Sequence, residues 1–150
     1  MAVVVATRMK PVQLHVLPRF LAGSLAAARQ AGRTPGFLGG RLRAEPFGGL
    51  WTLTMWESGR DVVGYRDSGA HRALVPRLSG WASEAVLGVW NTESPALPGW
   101  DEAARRIAEH PRFWPLDRPR AAHVQQRPVR PRRLGFVLPV RASRAALRHP

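Results

Sequence analysis

Two hydrophobic periods alternate along the first 110 residues, and their order leaves few folds open. Val3-Val4-Val5-Ala6-Thr7 is a β-branched run closed by Lys10-Pro11, which predicts a first strand. Leu17, Phe20, Leu21, Ser24, Leu25 and Ala28 then recur at intervals of three and four. Pro18 suits the first turn of that helix, and Gly32 with Pro35 ends it. Phe37 to Ala44 sets Leu38, Gly40 and Leu42 against Arg41 and Arg43. After Pro46-Phe47-Gly48-Gly49, Leu50 to Trp56 again has period two, so the pair predicts an antiparallel hairpin. The helical period returns from Asp61 to Ala82, where Ser68-Gly69 and Pro76 are expected to break or kink it. Within this stretch His71, Leu74, Val75 and Leu78 share one face. Ala85 to Trp90 predicts a fourth strand and Asp101 to His110 a short helix. Beyond Pro111 the periodicity disappears, and no internal repeat is found.

The order β-α-β-β-α-β is that of the α+β, ferredoxin-like split βαβ sandwich, in which helices cover one face of a four-stranded antiparallel sheet. The second face then needs a cover. Leu50 to Trp56 carries apolar groups on both faces, and the simplest cover is a second copy, pairing sheet to sheet about a two-fold axis. A homodimer closing a dimeric α+β barrel is therefore expected, with residues 1–112 as the folded domain and residues 113–150 as a basic Pro/Arg-rich tail.

The net charge of +13 invites a nucleic-acid reading, but its distribution argues against one. Residues 1–110 hold 13 basic and 9 acidic side chains, whereas residues 111–150 hold 10 arginines against Asp117 alone. All basic residues except Lys10 are arginine, which suggests a compositional habit more than phosphate contacts. The tail run Arg127-Pro128-Val129-Arg130-Pro131-Arg132-Arg133 reads as extended or disordered chain without the interleaved aromatics that stack bases. Its apolar segment Leu134 to Val140 is the exception, suited to adding a strand or lying across a partner subunit. With no cysteine there is neither a disulfide framework nor a thiolate metal site. Phe20 to Ala28, nearly free of charge, is far short of the about 20 residues that span a bilayer, and Met1 to Lys10 lacks signal-peptide grammar, so no membrane partner and a cytoplasmic location are expected. The glycines at 39, 40, 48 and 49 lie between strands and form no dinucleotide or phosphate loop. No Gly-x-Ser-x-Gly or His-Glu-x-x-His occurs, and paired carboxylates are scarce in the predicted core, which argues against hydrolases.

At Trp56-Glu57-Ser58, a strand end followed by a helix carrying Tyr65, Ser68, Gly69, Ala70 and His71, the chain resembles the antibiotic biosynthesis monooxygenase-like family. Trp51 to Trp90, with Ser68-Gly69-Ala70-His71-Arg72 at its middle, is similar to spheroidene monooxygenase-like members. The resemblance covers residues 1–110 and implies a dimeric α+β barrel, an architecture that hosts oxygenases, heme-degrading enzymes, heme lyases and isomerases. For the heme-degrading branch it implies a strand-one Asn, a helix-two Trp and a ligating His. Thr7, Tyr65 and Val75 stand at those positions, and His71 lies one turn before the ligand position on the same face. For the cofactor-free branch it implies Trp, Tyr, Asn and Arg around an apolar pocket, with Tyr65, the strand tryptophans and Arg41 as equivalents.

His71 is the leading candidate, as base or as axial heme ligand, because an imidazole on an aliphatic helix face titrates near neutrality. The alternative is a histidine bonded to a carbonyl at the helix kink. Tyr65, the only tyrosine, is the second catalytic candidate, with core packing as its alternative. Substrate-binding candidates are Trp51, Trp56, Arg41, Leu74, Leu78 and Trp90. Trp51 and Trp56 lie five apart on one strand and point to opposite faces, so only one can line a pocket. Arg41 and Arg43 read either as solvated edge charges or as a fork for an acidic or phenolate substrate. His15, His110, His123 and His149 show no ligand spacing and are expected at the surface, with no metal site. The expectation is a monooxygenase-like oxidoreductase using O2 on an apolar aromatic or polyenic small molecule of secondary metabolism. It needs either no cofactor or heme b on His71. A non-catalytic small-molecule- or heme-binding protein is the first alternative and a basic nucleic-acid-binding protein the second.

Overall fold

The computed structural model describes residues 1–127, 131, 135–143 and 146. Its centre is the predicted arrangement. Strands β1 (Ala2–Pro11), β2 (Phe37–Ala44), β3 (Leu50–Trp56) and β4 (Ala82–Thr92) lie in the order β4-β1-β3-β2, every neighbour antiparallel. Helices α1 (Leu17–Ala31), α2 (Gly59–Arg66) and α3 (Gly69–Trp81) cover one face. Two short strands extend the sheet: β5 (Arg112–Phe113) beside β4 and β6 (Phe136–Val140) beside β2.

Residues opposite each other on antiparallel strands point to the same face. Pairing Val4 with Met55 and Ala6 with Leu53 therefore builds one apolar surface, while Val5 with Thr54 and Thr7 with Thr52 build the other. The second face is not left bare. Helix α4 (Trp100–Glu109) lays Ala103 and Ile107 on Val4, Ala6, Leu53 and Met55. Gly88 admits it, since a β-carbon there would stand 3.1–3.3 Å from Ile107, main chain included. Arg41 holds the loop before α4, donating from Nη2 to the carbonyls of Leu97 (3.2 Å) and Pro98 (2.7 Å).

Three local expectations need correction. Pro76 does not interrupt α3, which runs unbroken to Trp81. The bond lost at Pro76 is offset by packing, as Leu74 and Leu78 are held between the sheet and α1 and Leu74 closes on Gly23, where a β-carbon would be 2.8 Å from Leu74 Cδ1. The core is not poor in carboxylates. Arg8, Glu45 and Glu84 are all buried, Arg8 pairs with Glu84 and with Glu45 (3.5 Å), and the Trp51 indole donates to Glu45 Oε1 at 2.7 Å. His123 is buried rather than superficial, its ring between the Ala85 amide (3.3 Å) and the Trp114 carbonyl (2.9 Å), because Phe113, Trp114 and Leu116 fold back onto the sheet. Of the Arg/Pro run, residues 128–130 and 132–133 lie outside the described residues, as does His149. The apolar segment beyond it does add a strand, β6 on β2.

Candidate active site

Between the helices and the sheet lies a cavity of about 150 Å³. Small side chains of α1, among them Ser24, Ala27 and Ala28, stand over Thr7, Thr52 and Thr54 of the sheet, and short facing short leaves space. An apolar cavity of about this volume accommodates one benzene ring. Its walls are overwhelmingly apolar, including Val5, Met9, Leu42, Leu74, Leu78 and Leu87.

His71 and Tyr65 both line this space, with ring centroids 4.6 Å apart. The His71 Nδ1 is 3.2 Å from the Arg66 carbonyl. A carbonyl only accepts, so a neutral imidazole in this geometry carries its proton on Nδ1 and leaves Nε2 with its lone pair. Burial pushes the His71 pKa below its ordinary 6.5, outweighing the carbonyl that favours the charged ring. The Tyr65 hydroxyl donates to the Ala27 carbonyl at 3.2 Å, and burial raises its pKa well above the ordinary 10.0, so it stays a phenol. Tyr65 is backed by Trp56 (4.9 Å), itself edge-on to Phe37 (5.0 Å).

The two helices meeting here are tied by a residue of α1. Gln30 accepts the His71 backbone N–H on Oε1 (2.8 Å), while its Nε2 donates to the carbonyls of Tyr65 and Ser68 (3.0 Å each). Ser68 starts α3 but turns its hydroxyl back to the Gly64 carbonyl (2.7 Å), so it does not cap the helix. Gln30 supplies that cap from another element.

Of the residues singled out in the sequence, the fold brings His71, Tyr65, Leu74 and Leu78 to the cavity, with Thr7 and Val75 beside them. Trp56 is on the cavity side of the sheet but one layer back, behind Tyr65. Trp51, Trp90 and Arg41 belong to the opposite face. Trp51 is fully buried against Glu45, Trp90 packs near α4 with Arg106 over its ring, and Arg41 serves the loop before α4. Sequence reasoning missed Gln30 and gave Thr52 and Thr54 no role. The parity of the threonines along Leu50–Trp56 was a usable signal, since it places both on the face opposite Trp51 and Leu53.

At about 150 Å³ the cavity as it stands is smaller than a macrocycle of four pyrroles, and its geometry gives heme on His71 no support.

Sheet order and helix layer define an α+β ferredoxin-like fold shared with antibiotic biosynthesis monooxygenase-like proteins. SnoaB, a cofactor-independent oxygenase from Streptomyces nogalater, superposes with a TM-score of 0.53 at 15% identity, over 65% of this chain and 98% of that one. Rv0793 from Mycobacterium tuberculosis gives 0.54 at 18% identity, over 63% and 97%. A putative antibiotic biosynthesis monooxygenase from Nitrosomonas europaea gives 0.52 at 11%, over 63% and 93%. No family profile and no curated protein sequence matches the chain.

Proposed function

We propose that the protein is a cofactor-independent, monooxygenase-like oxidoreductase acting with O2 on an apolar, one-ring small molecule. The observation that carries this is an imidazole, oriented by the Arg66 carbonyl and kept neutral by burial, on the wall of an apolar, ring-sized cavity. The fold shared with SnoaB supports the reaction class. His71 would remove a proton from a C–H acidified by a neighbouring carbonyl or phenol. The carbanion passes one electron to O2, and collapse of the radical pair forms a C–O bond. His71 returns its proton to the peroxide, which loses water. A CH2 group thereby becomes C=O, and the second oxygen atom leaves as H2O. Apolar walls exclude water from the charged intermediates. Tyr65, whose proton is committed to Ala27, shapes the wall beside the imidazole and takes no proton itself.

The test is oxygen uptake with 1,3-cyclohexanedione, which carries a CH2 between two carbonyls, comparing the native chain with His71→Ala. Uptake that falls by about 100-fold or more in the variant is expected for a lost general base. Uptake equal to a protein-free control, or unchanged by the substitution, overturns the reading; ligand binding without uptake would assign the cavity to a non-catalytic binding protein instead.

A further inference from the structure

We propose that the paired hydroxyls of Thr7 and Thr52 form the binding site for an oxygen substituent on the ring, so that the ligand is a cyclic ketone, enol or phenol rather than a hydrocarbon. This deepens the proposed function and rests on it for the chemistry, though not for the binding.

Five hydroxyls line the cavity. Three are directed at the main chain: Ser24 donates to the Phe20 carbonyl (2.9 Å), Tyr65 to that of Ala27 (3.2 Å) and Thr54, at a long 3.4 Å, to that of Val5. The imidazole Nδ1 is likewise committed to Arg66. Thr7 and Thr52 differ. They stand directly opposite each other on β1 and β3, with their Oγ1 atoms 2.5 Å apart. Two hydroxyls bring two protons, and their mutual bond uses one. Whichever residue donates, the other retains an O–H with no acceptor among the described residues. The hydroxyl that accepts the mutual bond is polarised by it and becomes the better donor.

A spare donor facing apolar walls is unfavourable until an acceptor arrives. Sheet and helices stand on opposite sides of the cavity, so a ring between them meets the hydroxyls on one side and His71 on the other. If His71 takes a proton next to a carbonyl, negative charge develops on the carbonyl oxygen. A hydroxyl bonded to that oxygen is then worth more in the transition state than in the ground state.

The test is the binding of phenol and benzene to the full chain, measured by ligand-observed NMR titration. An apolar cavity with no partner for the hydroxyl would prefer benzene, because phenol must surrender hydrogen bonds to water. The native protein is expected to bind phenol about 5-fold or more tightly than benzene, as one good hydrogen bond allows. Thr7→Val with Thr52→Val, which keeps the β-branched shape, should reverse the preference while leaving benzene affinity in place. Thr7→Ser with Thr52→Ser should keep it. Each single valine variant should retain much of the preference, because the remaining hydroxyl still has its proton to give. A native protein that prefers benzene overturns the proposal, as does a double valine variant that still prefers phenol. If the double valine variant loses benzene as well, the comparison is made in His71→Ala, which removes the Nε2 acceptor: a phenol preference that persists there supports the proposal, and one that vanishes overturns it. Neither measurement requires turnover. His71-dependent oxygen uptake without the phenol preference would sink this proposal alone, and the preference without uptake would sink only the oxygenase reading.

Discussion

Replacing Gln30 by Met, which keeps the side chain's length and removes its amide, should loosen the junction that presents both His71 and Tyr65. Two of the lost contacts lie in the partly buried junction: the His71 N–H onto Oε1 at 2.8 Å, and Nε2 onto the Tyr65 carbonyl at 3.0 Å. The first is a helix cap in function, and losing a cap removes about 1 kcal/mol. The second is an ordinary hydrogen bond, about 0.5–1.5 kcal/mol net. The contacts to Ser68 O and Oγ, at 3.0 and 3.1 Å, are exposed, and water can replace them. The total is about 2 kcal/mol. At a urea dependence of about 2 kcal/mol/M, the unfolding midpoint should fall by about 1 M. Gln30→Glu keeps an acceptor for the His71 N–H, but it sets a carboxylate oxygen where Nε2 stands 3.0 Å from the Tyr65 and Ser68 carbonyls, so acceptor faces acceptor and the variant should still be less stable than the native chain. Gly69 belongs to the same device: its φ of +52° favours glycine, and a β-carbon there would stand 2.9 Å from the Gln30 amide carbon. A Met variant within about 0.5 kcal/mol of the native chain would refute the capping argument.

Two further perturbations follow from buried charge. The folded-state pKa of His71 lies below 6.5, so between 6.5 and that lowered value the unfolded chain binds the proton first and stability falls as pH falls. His71→Gln should therefore flatten the decline of the urea midpoint between pH 7.5 and 5, and an unchanged slope would contradict the burial effect. Any His71-dependent activity should keep its acid limb below pH 6.5. Arg8→Met removes the guanidinium that Glu45 and Glu84 share beneath a buried face, and thermal denaturation should register a loss of about 3–5 kcal/mol; a loss under about 1 kcal/mol would mean the carboxylates are held in other ways.

What was legible in the chain follows from the range of each interaction. Helix α1, the β2–β3 hairpin and the shared face of His71, Leu74 and Leu78 are set by neighbours three or four residues away, or two along a strand, so the pattern carries them. Parity likewise put Trp51 and Trp56 on opposite faces. It could not say which face faced a cavity, because that depends on where α4 docks, and α4 covers the side that parity gives to Trp51. The polar contacts are further out of reach: Gln30 meets Tyr65, Ser68 and His71 across 35–41 positions, and Thr7 meets Thr52 across 45. Such pairs exist only once strand register and helix docking are fixed.

The cavity itself was encoded, but in an unexpected alphabet. A reading that seeks large apolar residues finds a core and stops there. Space is made where small residues recur at helical spacing over short ones on a strand, and Ser24, Ala27, Ala28 and Ala31 above Thr7, Thr52 and Thr54 have that form. Filling it with larger side chains on α1 would be expected to stabilise an ordinary core of this volume, since void surface forfeits dispersion contacts. Small residues at those positions, an imidazole on the wall and one unspent hydroxyl proton on the floor are together what the proposed ligand site requires.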